Sequence, residues 1–249
     1  MSFRFKQFSI DDSLCAMKVG TDSVLLGAWA DFNGASRILD IGTGSGLLAL
    51  MAAQQCRAEI TAIDIDQSCC IQATRNFENS AWNERLKCIH TGLRNFISEI
   101  APHEDIRLAS PHELPDGYFD HIISNPPWFT ASLKSTDNSR NRARHNDELP
   151  PEDLVQSSNL ILAENGRFSL IIPWSDKDYL INLCKSIGLF PSREIAVIPR
   201  TGKAPNRILL EFTKGLRAEP TTSTITIRDI EGNYTPEYKQ LTREFYLNF

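Results

Sequence analysis

The chain has 249 residues and a formal net charge of −5, with 41% hydrophobic and 23% charged residues. This length and composition are typical of a globular protein with one substantial core or two small ones, and the acidic balance excludes a protein coated in positive charge for indiscriminate nucleic-acid binding. The sequence has no apolar run of the roughly 18 residues that span a bilayer and no N-terminal secretory signal, so we expect a cytoplasmic protein with no membrane partner.

Short apolar runs rich in β-branched residues alternate with segments of helical periodicity from about residue 36 onward. The runs predict strands at residues 36–41, 59–64, 85–90, 118–124 and 166–173, and the periodic segments predict helices at 46–55, 67–80, 152–163 and 176–188. Such alternation is typical of a mostly parallel sheet with helices on both faces.

The end of the chain departs from this alternation. Two more strands, predicted at 193–199 and 207–213, have only a short loop between them, and a short loop joins antiparallel strands. Residues 98–117 contain three prolines and are predicted to be an inserted loop. The sequence therefore predicts an α/β fold with a seven-stranded, mostly parallel sheet ending in an antiparallel hairpin, followed by an added C-terminal strand and a short helix.

Neither the six cysteines nor the five histidines form a metal-binding pattern. No two cysteines are spaced as CxxC, and no histidines are spaced as HxxxH or HExxH. We therefore expect reduced, mostly buried cysteines and no metal site.

A glycine-rich loop follows the first of these strands. Residues 38–46 read ILDIGTGSG and place Asp40, Gly42, Gly44 and Gly46 between a strand and a helix, where glycines allow a sharp turn and close approach to a ligand. The spacing is GxGxG rather than GxGxxG, and no GKS or GKT follows as in a phosphate-binding loop. A tight strand-to-helix turn without a ligand is the alternative interpretation.

A second acid, Asp64, ends the next strand, where a carboxylate can accept hydrogen bonds from ribose hydroxyls. A loop without a phosphate-binding lysine, combined with a ribose-binding acid, suits a cationic nucleoside such as S-adenosylmethionine. Asp40 would also attract a cation.

The fourth of these strands ends in the sequence FDHIISNPPWFT, residues 119–130. An exocyclic amino group is a poor nucleophile, and acceptors for its two N–H groups would orient it and raise its electron density. The side-chain oxygen of Asn125 and the main-chain carbonyl of Pro126 are suitable acceptors, so position and charge stabilisation can promote the transfer. Trp128 offers a face on which a base can stack, worth about 1–3 kcal/mol. The alternatives are an Asn-Pro turn and a tryptophan that packs in the core.

Together, ILDIGTGSG, Asp64 and SNPPW resemble the S-adenosylmethionine-dependent N-methyltransferases of the NPPY class. Residues 17–29, 142–145 and 233–249 resemble the valine-tRNA adenine-N6 methyltransferases, so the resemblance covers nearly the whole chain. It implies one Rossmann-like class I methyltransferase domain, divided into an N-terminal segment (1–34), a core (35–215) and a C-terminal extension (216–249). It also implies methyl transfer to N6 of adenosine 37 in the anticodon loop of a valine tRNA, with the anticodon stem-loop as partner and a monomer as the favoured state.

The resemblance assigns roles to particular residues. The catalytic motif is Asn125, Pro126, Pro127 and Trp128, with Trp128 where Tyr or Phe is more usual. The S-adenosylmethionine site is Asp40, Gly42, Thr43, Gly44, Gly46, Asp64 and Ile65. Lys18 and Thr21 are candidates for the cofactor carboxylate; the alternatives are a solvated lysine and a helix N-cap. Thr91-Gly92-Leu93 stands where many methyltransferases carry an acid for the cofactor adenine, so no residue is assigned to that contact.

A basic stretch, residues 134–144, follows the Asn-Pro-Pro-Trp motif. Its charged residues are Lys134, Arg140, Arg142 and Arg144 against Asp137, so its charge is 4 − 1 = +3. A basic loop beside a reactive pocket suits contacts with RNA phosphates, and Arg200 and Lys203 would extend it. A solvated loop is the alternative interpretation.

Other functions remain open at this point. A ribosomal-RNA guanine-N2 methyltransferase would use the same chemistry. A protein glutamine-N5 methyltransferase of the release-factor type would usually carry a helical domain before the glycine loop, where this chain has 37 residues. A non-catalytic RNA-binding protein with a methyltransferase fold would not need Asn125, Asp40 or Asp64.

Overall fold

The computed structural model describes residues 2–100, 118–127 and 149–248. In these ranges the strands are β1 (Ser2–Arg4), β2 (Ser9–Asp11), β3 (Arg37–Ile41), β4 (Glu59–Asp64), β5 (Leu86–His90), β6 (Phe119–Ser124), β7 (Leu162–Pro173), β8 (Leu189–Arg200), β9 (Arg207–Lys214) and β10 (Thr221–Arg228). The helices are α1 (Thr21–Trp29), α2 (Leu47–Gln55), α3 (Gln67–Glu78), α4 (Leu93–Ile100), α5 (Pro151–Ile161), α6 (Lys177–Ser186) and α7 (Pro236–Thr242).

Eight strands form one sheet in the order β10-β8-β9-β7-β6-β3-β4-β5, and β1 and β2 form a separate antiparallel pair. Every neighbouring pair in the large sheet is parallel except those that involve β9, which runs antiparallel to β7 and β8. The predicted α/β fold with a terminal hairpin is confirmed. The added C-terminal strand, β10, pairs in parallel with β8 and makes the sheet eight-stranded.

Two apolar cores cover the two faces of the sheet. Alternate residues of a strand point to opposite faces, and Ile38 and Leu39 of β3 accordingly belong to different cores. Helices α1, α2, α3 and α7 pack on one face and helices α4, α5 and α6 on the other. Helix α2 lies under the glycine loop, and its residues from Leu47 to Ala53 are all buried.

The structure corrects two local predictions. The inserted loop was predicted to begin at residue 98, but α4 extends to Ile100 because Leu93, Phe96 and Ile97 recur at helical spacing and bury one face. Residues 101–117 lie outside the described residues. The N-cap of α1 is Gly20, and Thr21, the alternative N-cap, is already the first helical residue.

No helix in the described part of the chain is both long and apolar enough to cross a membrane.

Candidate functional site

The glycine loop joins β3 to α2 at the edge of the sheet where its parallel strands end. Gly42, Gly44 and Gly46 all have positive φ angles, of 70°, 55° and 86°. A Cβ atom added at Gly42 or Gly44 would meet no heavy atom within 4 Å, so the space in front of these two residues is open. A Cβ atom at Gly46 would lie 2.5 Å from Cε1 of Phe77, so this glycine is required for packing between the loop and α3.

Asp40 lies beneath the loop and is completely buried. Its Oδ2 accepts hydrogen bonds from Thr43 Oγ1 at 2.6 Å and from the Ala49 N–H at 3.2 Å. Its Oδ1 has no hydrogen-bond partner in the described residues. Burial raises the pKa of the Asp40 carboxyl to about 7, against the opposing effect of the Thr43 and Ala49 hydrogen bonds. The carboxyl is therefore poised to lose a proton when a cation approaches.

Asp64, at the end of β4, is bonded directly to the glycine loop. Its Oδ2 accepts the Gly44 N–H at 2.8 Å and its Oδ1 accepts the Asp66 N–H at 2.9 Å. A carboxylate oxygen has two lone pairs, so each oxygen keeps a position for a further donor. This geometry fixes the carboxylate beside the open space in front of Gly44.

Ile65 forms an apolar rim next to Asp64. Its side chain is 53% exposed, which is high for an isoleucine in a well-packed domain. A Cβ atom added at Gly92 would lie 3.3 Å from Cγ2 of Ile65, and His90 Nε2 is 3.0 Å from the Ile65 carbonyl oxygen. Gly92, in the segment Thr91-Gly92-Leu93 that lacks an acid, thus brings its main chain close to the Ile65 side chain.

Asn125, directly after β6, is held by a residue that the sequence did not indicate. Its Nδ2 donates a hydrogen bond of 2.8 Å to Ser23 Oγ in the first turn of α1, 102 residues earlier in the chain. Pro126 is buried and Pro127 is exposed. Trp128 lies outside the described residues, as do Lys134, Arg140, Arg142 and Arg144, so their roles stay predictions.

The N-terminal segment is connected to the glycine loop through α3. Asn76 donates hydrogen bonds of 2.8 Å to the carbonyl oxygens of Asp11 and Ser45, and its Oδ1 accepts the Asp11 N–H at 3.0 Å. Asn76 is nearly buried, which makes these bonds costly to lose. No motif in the sequence singles out this asparagine.

Lys18 and Arg200 both bind main-chain carbonyls. Lys18 Nζ donates to the carbonyl oxygens of Asp12, at 2.7 Å, and Cys15, at 3.0 Å. The Arg200 guanidinium donates to the carbonyl oxygens of Asp229 and Ile230. These contacts give both side chains a structural role, and the contact of Lys18 with the cofactor carboxylate stays a prediction. Among the described residues, no group of three or more His, Cys, Asp or Glu side chains is arranged to hold a metal ion.

The doubly wound sheet with antiparallel β9, the glycine loop after β3 and the acid after β4 define a Rossmann-like class I methyltransferase. Solved structures share this fold. A predicted O-methyltransferase from Agrobacterium tumefaciens matches with a TM-score of 0.67 and 23% identity, over 90% of this chain and 96% of that one. The family described as ribosomal protein L11 methyltransferase matches residues 25–110.

Full-length relatives narrow this class. The tRNA1(Val) (adenine(37)-N6)-methyltransferase of Bacteroides fragilis is 42% identical over 245 residues, which cover 98% of this chain and 97% of the relative. That of Shewanella baltica is 40% identical over 251 residues and covers all of both chains. The chain belongs to the tRNA1(Val) (adenine(37)-N6)-methyltransferase family, as the sequence motifs indicated, and it is a methyltransferase.

Proposed function

We propose that the protein methylates N6 of adenosine 37 in the anticodon loop of a valine tRNA, with S-adenosylmethionine as methyl donor. The assignment of this substrate is supported by full-length identity of about 40% to relatives named for this reaction. Asn125 at the end of β6, with its amide nitrogen already bonded to Ser23, carries the chemistry.

The residues of the glycine loop and of the C-terminal end of β4 fit the cationic cofactor. The space in front of Gly42 and Gly44 is open. Beneath the loop, Asp40 has an Oδ1 with no hydrogen-bond partner among the described residues, and its carboxyl would be negative once ionised. Asp64 retains acceptor positions for ribose hydroxyls, and exposed Ile65 offers an apolar surface beside them. When bound, S-adenosylmethionine supplies an electrophilic methyl group on a sulfonium.

The chain's own residues orient the amino group that receives the methyl. Asn125 Oδ1 and the main-chain carbonyl of Pro126 accept the two N6–H groups, which places the nitrogen lone pair for in-line attack. On taking the methyl group that bound S-adenosylmethionine would supply, the nitrogen held by Asn125 and Pro126 would lose one proton to solvent. Because no side chain has to deprotonate the neutral amine, positioning and charge stabilisation account for the catalysis.

Contacts with the RNA backbone are assigned to the basic stretch 134–144, on the basis of its charge and its place after the catalytic motif. Replacing Arg142 and Arg144 together by Glu should weaken tRNA binding and flatten its dependence on salt concentration. Unchanged affinity would remove this stretch from the interface.

The central test compares wild type with Asn125→Ala on an unmodified valine tRNA. The variant should lose methyl transfer but keep its affinity for S-adenosylmethionine, measured by titration calorimetry, because Asn125 contacts the acceptor only. Asp64→Ala is the complementary variant, because it should lose affinity for S-adenosylmethionine. Mass spectrometry of nucleosides from the product should show N6-methyladenosine, and mass spectrometry of its nuclease fragments should place the added methyl group at position 37. An Asn125→Ala enzyme with full turnover, or a product methylated at another atom, would overturn the proposal.

A further inference from the structure

The hydrogen bond between Asn125 and Ser23 holds the catalytic amide with its nitrogen toward the serine hydroxyl. Asn125 Nδ2 donates to Ser23 Oγ at 2.8 Å, and in the described part of the chain Asn125 Oδ1 has no hydrogen-bond partner. One N–H of the amide is therefore bonded within the protein, and the amide oxygen is available to a ligand.

This orientation matters because the two ends of an asparagine side chain have the same shape and opposite polarity. An amide turned by 180° would present its own N–H groups to the N–H groups of the substrate, so two donors would face each other. With Oδ1 outward, the same side chain accepts a substrate N–H. We propose that Ser23 is a positioning residue that holds the Asn125 amide with Oδ1 toward the amino group; this inference rests on the proposed function.

The backbone of Ser23 is itself firmly anchored. The following residues of α1, Val24, Leu25 and Leu26, are completely buried in the first core. On the other side, Asp22 Oδ2 accepts a hydrogen bond of 2.8 Å from Arg207 Nε at the start of β9. Helix α1 thus offers a fixed hydroxyl, which is what a positioning residue requires.

Steady-state kinetics of Ser23→Ala test this role. Without the hydroxyl, the amide is free to rotate and displace the amino nitrogen, so kcat should fall by about 10- to 100-fold. The KM and Kd for S-adenosylmethionine should not change, because Ser23 acts on the acceptor side of the site. Ser23→Thr, which keeps a hydroxyl, should restore most of the lost kcat. A role in folding alone would instead lower the melting temperature and leave kcat per folded molecule unchanged.

Two comparisons make the result specific. Ser186→Ala, at the exposed C-terminal end of α6, removes a hydroxyl that donates to the Leu183 carbonyl of its own helix, and this change should leave kcat unaltered. Single-turnover assays with a radioactive methyl group detect the slow residual transfer of Asn125→Ala. Adding Ser23→Ala to Asn125→Ala should not slow this residual transfer further, because residues that act through one another are not additive.

The outcomes separate this inference from the proposed function. An active wild type with Ser23→Ala as fast as Ser186→Ala would overturn the role of Ser23 and leave the proposed function intact. Additive losses in the double variant would also overturn it, because Ser23 would then act independently of Asn125. A wild-type enzyme that methylates no valine tRNA would overturn the proposed function and, with it, this inference.

Discussion

Lowering the pH should weaken the binding of S-adenosylmethionine through protonation of Asp40. Burial, with a smaller contribution from the nearby carboxylate of Asp64, raises the pKa of this carboxyl to about 7, well above its usual 3.8. A cationic ligand favours the ionised carboxyl. Cofactor binding should therefore release a proton from Asp40, and an enzyme that is already protonated should bind more weakly.

The size of the effect follows from the ionised fraction of Asp40. With a pKa of about 7, roughly one tenth of the carboxyl is ionised at pH 6, about half at pH 7 and about nine tenths at pH 8. Because the apparent Kd is the intrinsic Kd divided by the competent fraction, it should rise about tenfold between pH 8 and pH 6. At pH 7, binding should release about half a proton from Asp40.

Titration calorimetry at three pH values, in buffers of different ionisation enthalpy, measures both affinity and proton release. The amino group of the cofactor also titrates near pH 8, so Asp40→Asn serves as the control that keeps this contribution and lacks the carboxyl. The folded pKa of Asp40 lies above the unfolded value, so its contribution to stability is lost as the pH rises through 7. Asp40→Asn should accordingly gain melting temperature relative to wild type at pH 8. Identical pH dependence of Kd in wild type and Asp40→Asn would refute the coupling.

Two further predictions concern stability. Gly46→Ala should lower the free energy of unfolding in urea by about 2–4 kcal/mol, because its Cβ would collide with Phe77 and its φ is left-handed. Gly202→Ala has the same sign of φ but open space around the added Cβ, and it should lower the free energy of unfolding by about 1 kcal/mol. Equal losses in the two variants would rule out the collision. His121 is completely buried, and burial followed by the charge of Arg167 lowers its pKa to about 3. In this pH range His121 binds a proton only on unfolding, so the free energy of unfolding should fall by about 2 kcal/mol between pH 6.5 and pH 5. In chemical denaturation, His121→Gln should lose this dependence of stability on pH. An unaltered dependence would assign it to other groups.

Local patterns in the sequence predict the sheet because its strands are short apolar runs between recognisable helices. Strand β4 was predicted with its observed bounds, and the other predicted strands of the sheet lie within a few residues of theirs. The glycine loop and Asp64 were predictable as neighbours, since adjacent parallel strands end at one edge. In the structure the two are in direct contact, because the Gly44 N–H donates a hydrogen bond to Asp64 Oδ2.

Contacts between distant segments were not predictable. Nothing in the local sequence relates Ser23 to Asn125 or Asn76 to Ser45, because each pair is brought together only by the packing of α1 and α3 on the sheet. The alternative interpretation of Thr21 as an N-cap was wrong for a related reason: Gly20 takes the extended conformation before α1, and the hydroxyl of Thr21 comes one residue too late to cap the helix.

The antiparallel strand β9 explains why α1 can support the catalytic edge. Since β9 runs against β7 and β8, its first residue, Arg207, lies at the edge where the parallel strands end. Arg207 there bonds to Asp22, next to Ser23. Both members of this ion pair are 37% exposed, so it adds about 1 kcal/mol or less to stability. Its effect is positional: it fixes the first turn of α1 against the sheet beside Asn125. A parallel strand in place of β9 would begin at the opposite edge, and α1 would lose this anchor.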